Sequence, residues 1–176
     1  MNTKYQAAIV LALSALFTAC ERPKNTVGDW GAPSTSLTKI AGLNLALPGQ
    51  PQKAEFGLSK SSKENTASQD SYVVQNGSTQ YGLCQTVHYV MNDSLDDNAR
   101  GIVDGHEGYS IVDMSVAGVS GKRITMDISA DQITQYLSIL LFSKDKTLWQ
   151  IATIDPSITK AHAAMDALIP TISIAE

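Results

Sequence analysis

An α+β fold, an antiparallel sheet with helices packed on it, is what the apolar pattern of this chain predicts. Three observations carry that expectation. Segments of period two follow one another at hairpin spacing, and only two stretches repeat apolar residues at helical spacing. One run, Gln135 to Phe142, is apolar almost throughout, as expected of a central strand covered on both faces. A doubly wound parallel sheet would instead alternate strands with helices.

The ordered elements are expected to begin near Leu37. Leu37 to Ala41 and Leu43 to Leu47 read as short strands around Gly42, the second ended by Pro48-Gly49-Gln50-Pro51. Residues 57–69 offer almost no apolar face and read as a polar loop. Tyr72 to Val74 and Tyr81 to Met91 flank Asn76-Gly77, a strong short-range hairpin signal because both residues tolerate positive φ. A helix follows at about 94–106, capped by Asp93, with Leu95, Ala99, Ile102, Val103 and His106 on one face and Asp96 and Asp97 in its first turn. Gly101 weakens it, since an interior glycine costs about 1 kcal/mol against alanine.

Tyr109 to Ala117 and Lys122 to Ser129 then pair around Gly118-Val119-Ser120-Gly121. In the second of them Ile124, Met126 and Ile128 alternate with Arg123, Thr125 and Asp127, which leaves one face to water. Gln135 to Phe142 turns at Ser143-Lys144-Asp145-Lys146 into Leu148 to Ile154. A second amphipathic helix is expected at 157–168, opened by Pro156 and stopped by Pro170. Thr171 to Ile174 closes the chain as a strand.

Ahead of these elements lies a leader. Lys4 supplies a positive charge, Ala7 to Ala19 carries no charged residue, and the stretch is too short to span a bilayer. Leu16-Phe17-Thr18-Ala19-Cys20 resembles a bacterial lipobox, with small residues immediately before the cysteine. That resemblance implies cleavage before Cys20, acylation of Cys20 (palmitate or a related chain) and a membrane lipid as its first partner. Two or more chains anchor stably where one binds weakly. The expected organisation is a signal peptide at 1–19, a flexible tether at 20–36 rich in Gly, Pro, Ser and Thr, and a single α+β domain at 37–176. Glu21, where aspartate is associated with inner-membrane retention, tilts the destination toward the outer membrane.

Loss of residues 1–19 removes Lys4 and no acid, leaving 12 Lys and Arg against 17 Asp and Glu, a net charge of −5. An acidic chain with scattered bases excludes a phosphate-binding face, so no nucleic acid is expected as a partner. With Cys20 acylated, Cys84 has no partner thiol, and the core must hold by packing alone.

From the leader onward, the order of elements resembles the DcrB-like bacterial lipoproteins, which belong with the PsbP-like α/β/α sandwiches. The likeness rests on the lipobox and tether, the hairpin Ala41 to Pro48, the strand pair around Ala117 to Lys122, the long hairpin Tyr136 to Ile154 and the closing helix and strand. It implies an envelope protein that binds or assembles and has no catalytic motif to carry over.

Candidate chemistry is sparse. Cys84 and His88 share one strand face, but at i and i+4 they stand about 13 Å apart, too far for a nucleophile pair. Cys84 therefore reads as a buried small hydrophobe. His106-Glu107 lacks the second histidine of a zinc protease and reads as a helix terminus; His162 falls on the apolar side of its helix. Asp93, Asp96, Asp97 and Asp104 lack the alternating ligands, glycine and glutamate of an EF-hand loop. No catalytic residue, metal or cofactor is expected. Trp149 and Tyr136 read as core, whereas Trp30 lies in the tether with nothing obvious to pack on. Three functions remain open: a non-catalytic binding or assembly lipoprotein of the envelope with a protein partner, a periplasmic immunity lipoprotein that neutralises a toxin, and a hydrolase.

Overall fold

The computed structural model describes residues 37–55, 64–91, 93–130 and 133–175. Five strands come first: β1 (Thr38–Ile40), β2 (Leu43–Leu45), β3 (Gln52–Lys53), β4 (Thr66–Asn76) and β5 (Thr79–His88). Helix α1 (Leu95–Val103) leads into β6 (Ser110–Val116), β7 (Val119–Ala130), β8 (Ile133–Lys144) and β9 (Thr147–Asp155). Helix α2 (Ile158–Leu168), a 3₁₀ turn (Ile169–Thr171) and β10 (Ser173–Ile174) end the chain. The expected signal peptide at 1–19 and tether at 20–36, with Cys20 and Trp30, lie outside the described residues.

A seven-stranded sheet in the order β3-β4-β5-β9-β8-β7-β6 is antiparallel throughout. The α+β class and the antiparallel sheet are thus as the apolar pattern predicts. The hairpin β8–β9 lies at the middle of the sheet, and alternation along β8 divides the core in two. Leu137, Ile139 and Leu141 point to the side where Ala99, Ile102 and Val103 of α1 pack. Leu140 and Phe142 point to the opposite side, with Met165 and Leu168 of α2. Each such fully buried large side chain contributes about 1.5–3 kcal/mol.

The α2 side carries a second layer that hairpin logic alone does not provide. β1 and β2 form the expected hairpin, but β10 returns from the far end of the chain to pair with β2, making a three-stranded sheet β1-β2-β10. Its Ile40, Leu43 and Leu45 pack with Trp149 and Ile172. Trp149 stacks on Phe142 at 5.3 Å between ring centres and donates its indole N–H to the Ala41 carbonyl at 2.8 Å. Gly42 turns the hairpin at φ +69°, and a Cβ there would meet the Gln85 amide nitrogen at 2.8 Å. Glycine answers both demands.

Several boundaries differ from the expectation. The polar residues 66–69 are strand, because each pairs within β4–β5 or sits at its bulge; residues 57–63 lie outside the described set. The β4–β5 turn is Gly77-Ser78, not Asn76-Gly77, with glycine at the first central position and φ +62°. The β6–β7 turn is Ala117-Gly118, both at positive φ, rather than the four residues from Gly118. That frees Gly121 for the strand, where a Cβ would stand 3.0 Å from the Leu141 carbonyl oxygen.

Ser94, not Asp93, caps α1: its hydroxyl accepts from the Asp97 N–H while Asp97 accepts from the Ser94 N–H, a reciprocal capping box. The helix stops at Val103 because Gly105 takes φ +79°, so His106 falls beyond it. Pro156 precedes the Ser157 cap of α2 rather than occupying its first turn, and Pro170 lies inside the 3₁₀ turn. Tyr136 is half-buried, since its end of β8 runs out past the core, whereas Trp149 is core as expected.

Candidate functional site: the β6 edge and its acidic flank

Register brings Cys84 between Ser71 of β4 and Gln150 of β9. The thiol is free and buried, and its sulfur is met by the Gln69 amide at 3.3 Å and the Ser71 hydroxyl at 3.4 Å, with the Thr86 hydroxyl at 3.7 Å. His88 sits two alternations further along β5. Burial pushes its imidazole pKa down, opposed by the Asn65 backbone and Asp93. Three buried atoms on this row lack hydrogen-bond partners: Gln80 Oε1, His88 Nδ1 and the Gln150 Nε2. The register spaces them about four residues, roughly 13 Å, apart, so they do not converge on one ligand.

His106 lies past α1, its backbone N–H donating to the Val103 carbonyl, and His162 lies on α2. The three imidazoles stand on three separate elements. Of the four aspartates, Asp97 is spent on the capping box, Asp104 is the C-cap residue of α1, Asp96 binds Lys122 at 2.8 Å, and Asp93 is exposed. Among the described residues no three His, Cys, Asp or Glu side chains gather as metal ligands.

Three charged residues that the sequence pattern did not single out hold the scaffold. Lys122, buried on the α1 side, bridges Asp96 of α1 and Asp113 of β6, and the hydrogen bonds it donates to these carboxylates, Asp113 first, raise its pKa. Arg123, the next residue on β7, binds Asp166 of α2 and donates to the buried Ser138 hydroxyl at 3.0 Å. Asp155 accepts from Ser78, Thr79 and the Ser157 N–H, each at 2.7 Å, tying the β4–β5 turn to the start of α2. Burial works to raise the Asp155 pKa, but the bonds from Thr79, Ser78 and Ser157 outweigh it and hold the carboxyl below its ordinary value.

The large sheet has two outer edges. At one edge β3 pairs with Tyr72 and Val73 of β4 and carries Lys53, paired with Asp70 at 3.3 Å; among the described residues the rest of β4 is paired in the sheet with β5. The other edge is β6, seven residues that among the described residues pair with β7 alone and without a register shift. It contains no proline, lysine or bulge, and its one charge, Asp113, is bound to Lys122. Val112, 57% exposed, projects beside it, with Tyr109 47% exposed just ahead.

Acids outnumber bases in the segment that carries this edge. Between residues 93 and 127 lie seven acids, Asp93, Asp96, Asp97, Asp104, Glu107, Asp113 and Asp127, all exposed. The bases of the same stretch are Arg100, which is exposed, and Lys122 and Arg123, which are committed to carboxylates.

No protein-family model matches the chain, and no curated protein matches it. Solved structures do match in backbone shape. A Bacteroides thetaiotaomicron protein superposes with a TM-score of 0.49 over 77% of this chain and 46% of its own, at 11% identity. LpqN, involved in cell envelope biogenesis of Mycobacterium tuberculosis, gives 0.41 over 85% of this chain and 87% of its own, at 10% identity. A Pseudomonas aeruginosa protein of unknown function gives 0.42 over 67% of this chain and 91% of its own, at 8% identity. This chain spans less than half the length of the first of them. Identities this low are silent on activity.

Proposed function

We propose that the chain is a cell-envelope lipoprotein, held at the membrane by acylated Cys20, whose α+β domain binds a protein partner and catalyses nothing. The leader ending at Cys20 supports the anchorage, with Glu21 favouring the outer membrane. No helix among the described residues is long and apolar enough to cross a membrane. The similarity in element order to DcrB-like lipoproteins agrees with a binding role.

The observation that carries the reading is the unguarded β6 edge, a row of main-chain donors and acceptors facing outward from a sheet whose interior is fully packed. Two side chains that could serve catalysis are meanwhile engaged in the fold: Cys84 with Ser71 and Gln69, Asp155 with Ser78 and Thr79.

The test is a crosslinking pull-down of the lipidated chain from its own envelope, compared with Cys20→Ala. A discrete protein adduct that requires Cys20 supports the reading. Turnover of a peptidoglycan, lipid or ester substrate that depends on Cys84, His88 or His106 without loss of folding contradicts it.

A further inference from the structure

We infer that the outer edge of β6 takes an extended, basic segment of a partner protein as an eighth strand of the large sheet. This rests on the reading of the chain as a binding module and adds the partner's chemistry and mode of attachment. Main-chain hydrogen bonding supplies the attachment: seven residues of regular edge are about 24 Å long, enough for a strand of ordinary length.

Register decides what the added strand presents on each face. Ile111 pairs with Ile124 and Asp113 with Lys122, so Ile111, Asp113 and Ser115 face the α1 side, where Asp96 and Asp97 also lie. Val112 pairs with Arg123 and Met114 with Gly121, so Val112 and Met114 face the α2 side. Asp96 and Asp113 share the single charge of Lys122, so with Asp97 the α1 side stays net negative, and a segment alternating cationic and β-branched residues sets its bases toward that side and its apolar residues against Val112 and Met114.

Charge selects this occupant over a second copy of the chain. Two copies meeting edge to edge would bring two acid-rich flanks together, each with Arg100 as its exposed base, whereas a lysine-bearing strand meets a flank of net negative charge. The acids are exposed, so the attraction is screened by salt over roughly 8 Å at physiological ionic strength.

The experiment is hydrogen exchange followed by mass spectrometry on the full chain in detergent, titrated with an acetylated octapeptide of alternating lysine and valine. Exchange across 110–116 is expected to slow by about tenfold or more, with the effect lost at high salt. A glutamate–valine octapeptide, a lysine–valine peptide N-methylated at alternate residues and the Val112→Lys chain are each expected to show no slowing. Unchanged exchange at 110–116, or equal protection by the glutamate peptide, overturns the proposal. Protection that appears without peptide and grows with protein concentration also overturns it, by showing a second copy on the edge. If the lysine peptide fails while crosslinking still captures an envelope protein through Cys20-anchored chain, strand addition falls and the binding reading stands.

Discussion

Lys122 and Arg123 are neighbours on β7 that leave the sheet in opposite directions, and each ties down one helix. Lys122 reaches Asp96 of α1, and Arg123 reaches Asp166 of α2. The period-two geometry of a strand makes this possible: adjacent side chains are the only ones that can serve both faces from one place. Both helices are thereby linked to β7, the strand that pairs with β6.

The two ends of the Arg123 contact are unequal. Asp166 is mostly exposed, so Asp166→Ala is expected to cost no more than about 1 kcal/mol. Arg123→Ala also strips the buried Ser138 hydroxyl of its donor and is expected to cost about 1–3 kcal/mol. Urea denaturation of the two variants measures the difference, and equal costs would refute the asymmetry.

Asp155 contributes to the acid limb of stability, as does Asp96, whose carboxyl Lys122 holds below its ordinary value. The folded pKa of Asp155 lies below the unfolded one, so its contribution is present above the unfolded value near 4 and is lost as pH falls through the folded value. Asp155→Asn is expected to destabilise by about 1.5–3 kcal/mol at neutral pH and to flatten stability below pH 4. Thermal melts across pH 2–7 would show this; a variant with the parent's acid dependence would assign the acid limb elsewhere.

Ile139 tests the central position of β8. It is 0% exposed and packs on the α1 side. Ile139→Asp places an unpaired charge there, at an expected cost of several kcal/mol. An unchanged melting temperature would contradict the packing.

Cys84 is expected to be reduced and structural. Thiol reagents should label it only as fast as the sheet opens, and Cys84→Ser should keep full binding of the lysine–valine peptide, since the thiol lies on β5, away from the edge. Rapid labelling of the folded chain would place the thiol at a functional surface.

How much of this was legible in the sequence depends on how local the cause is. β7 announces itself through Ile124, Met126 and Ile128, and β8 through an unbroken apolar run, because burial on one or two faces writes a period into the residues. The turns at Gly42 and within 143–146 stand where the sequence puts them, whereas the β4–β5 and β6–β7 turns are each displaced: Ala117 takes a positive φ that its side chain does not advertise. β10 has two residues and pairs with β2 across the chain, a contact no window of sequence contains. The edge was equally hidden, since period two identifies β6 as a strand without saying which neighbour it lacks. Lys122 reads as solvent-facing from composition alone; its burial arises only when Asp96 and Asp113 meet it.

Anchorage at Cys20 is the claim on which an envelope partner depends. Intact mass spectrometry of the chain recovered from the membrane fraction tests it most directly. The expected result is a chain beginning at Cys20 and carrying covalent acyl groups, with Cys20→Ala either unprocessed or released from the membrane. A chain that retains Met1, or one with an unmodified Cys20, would contradict it.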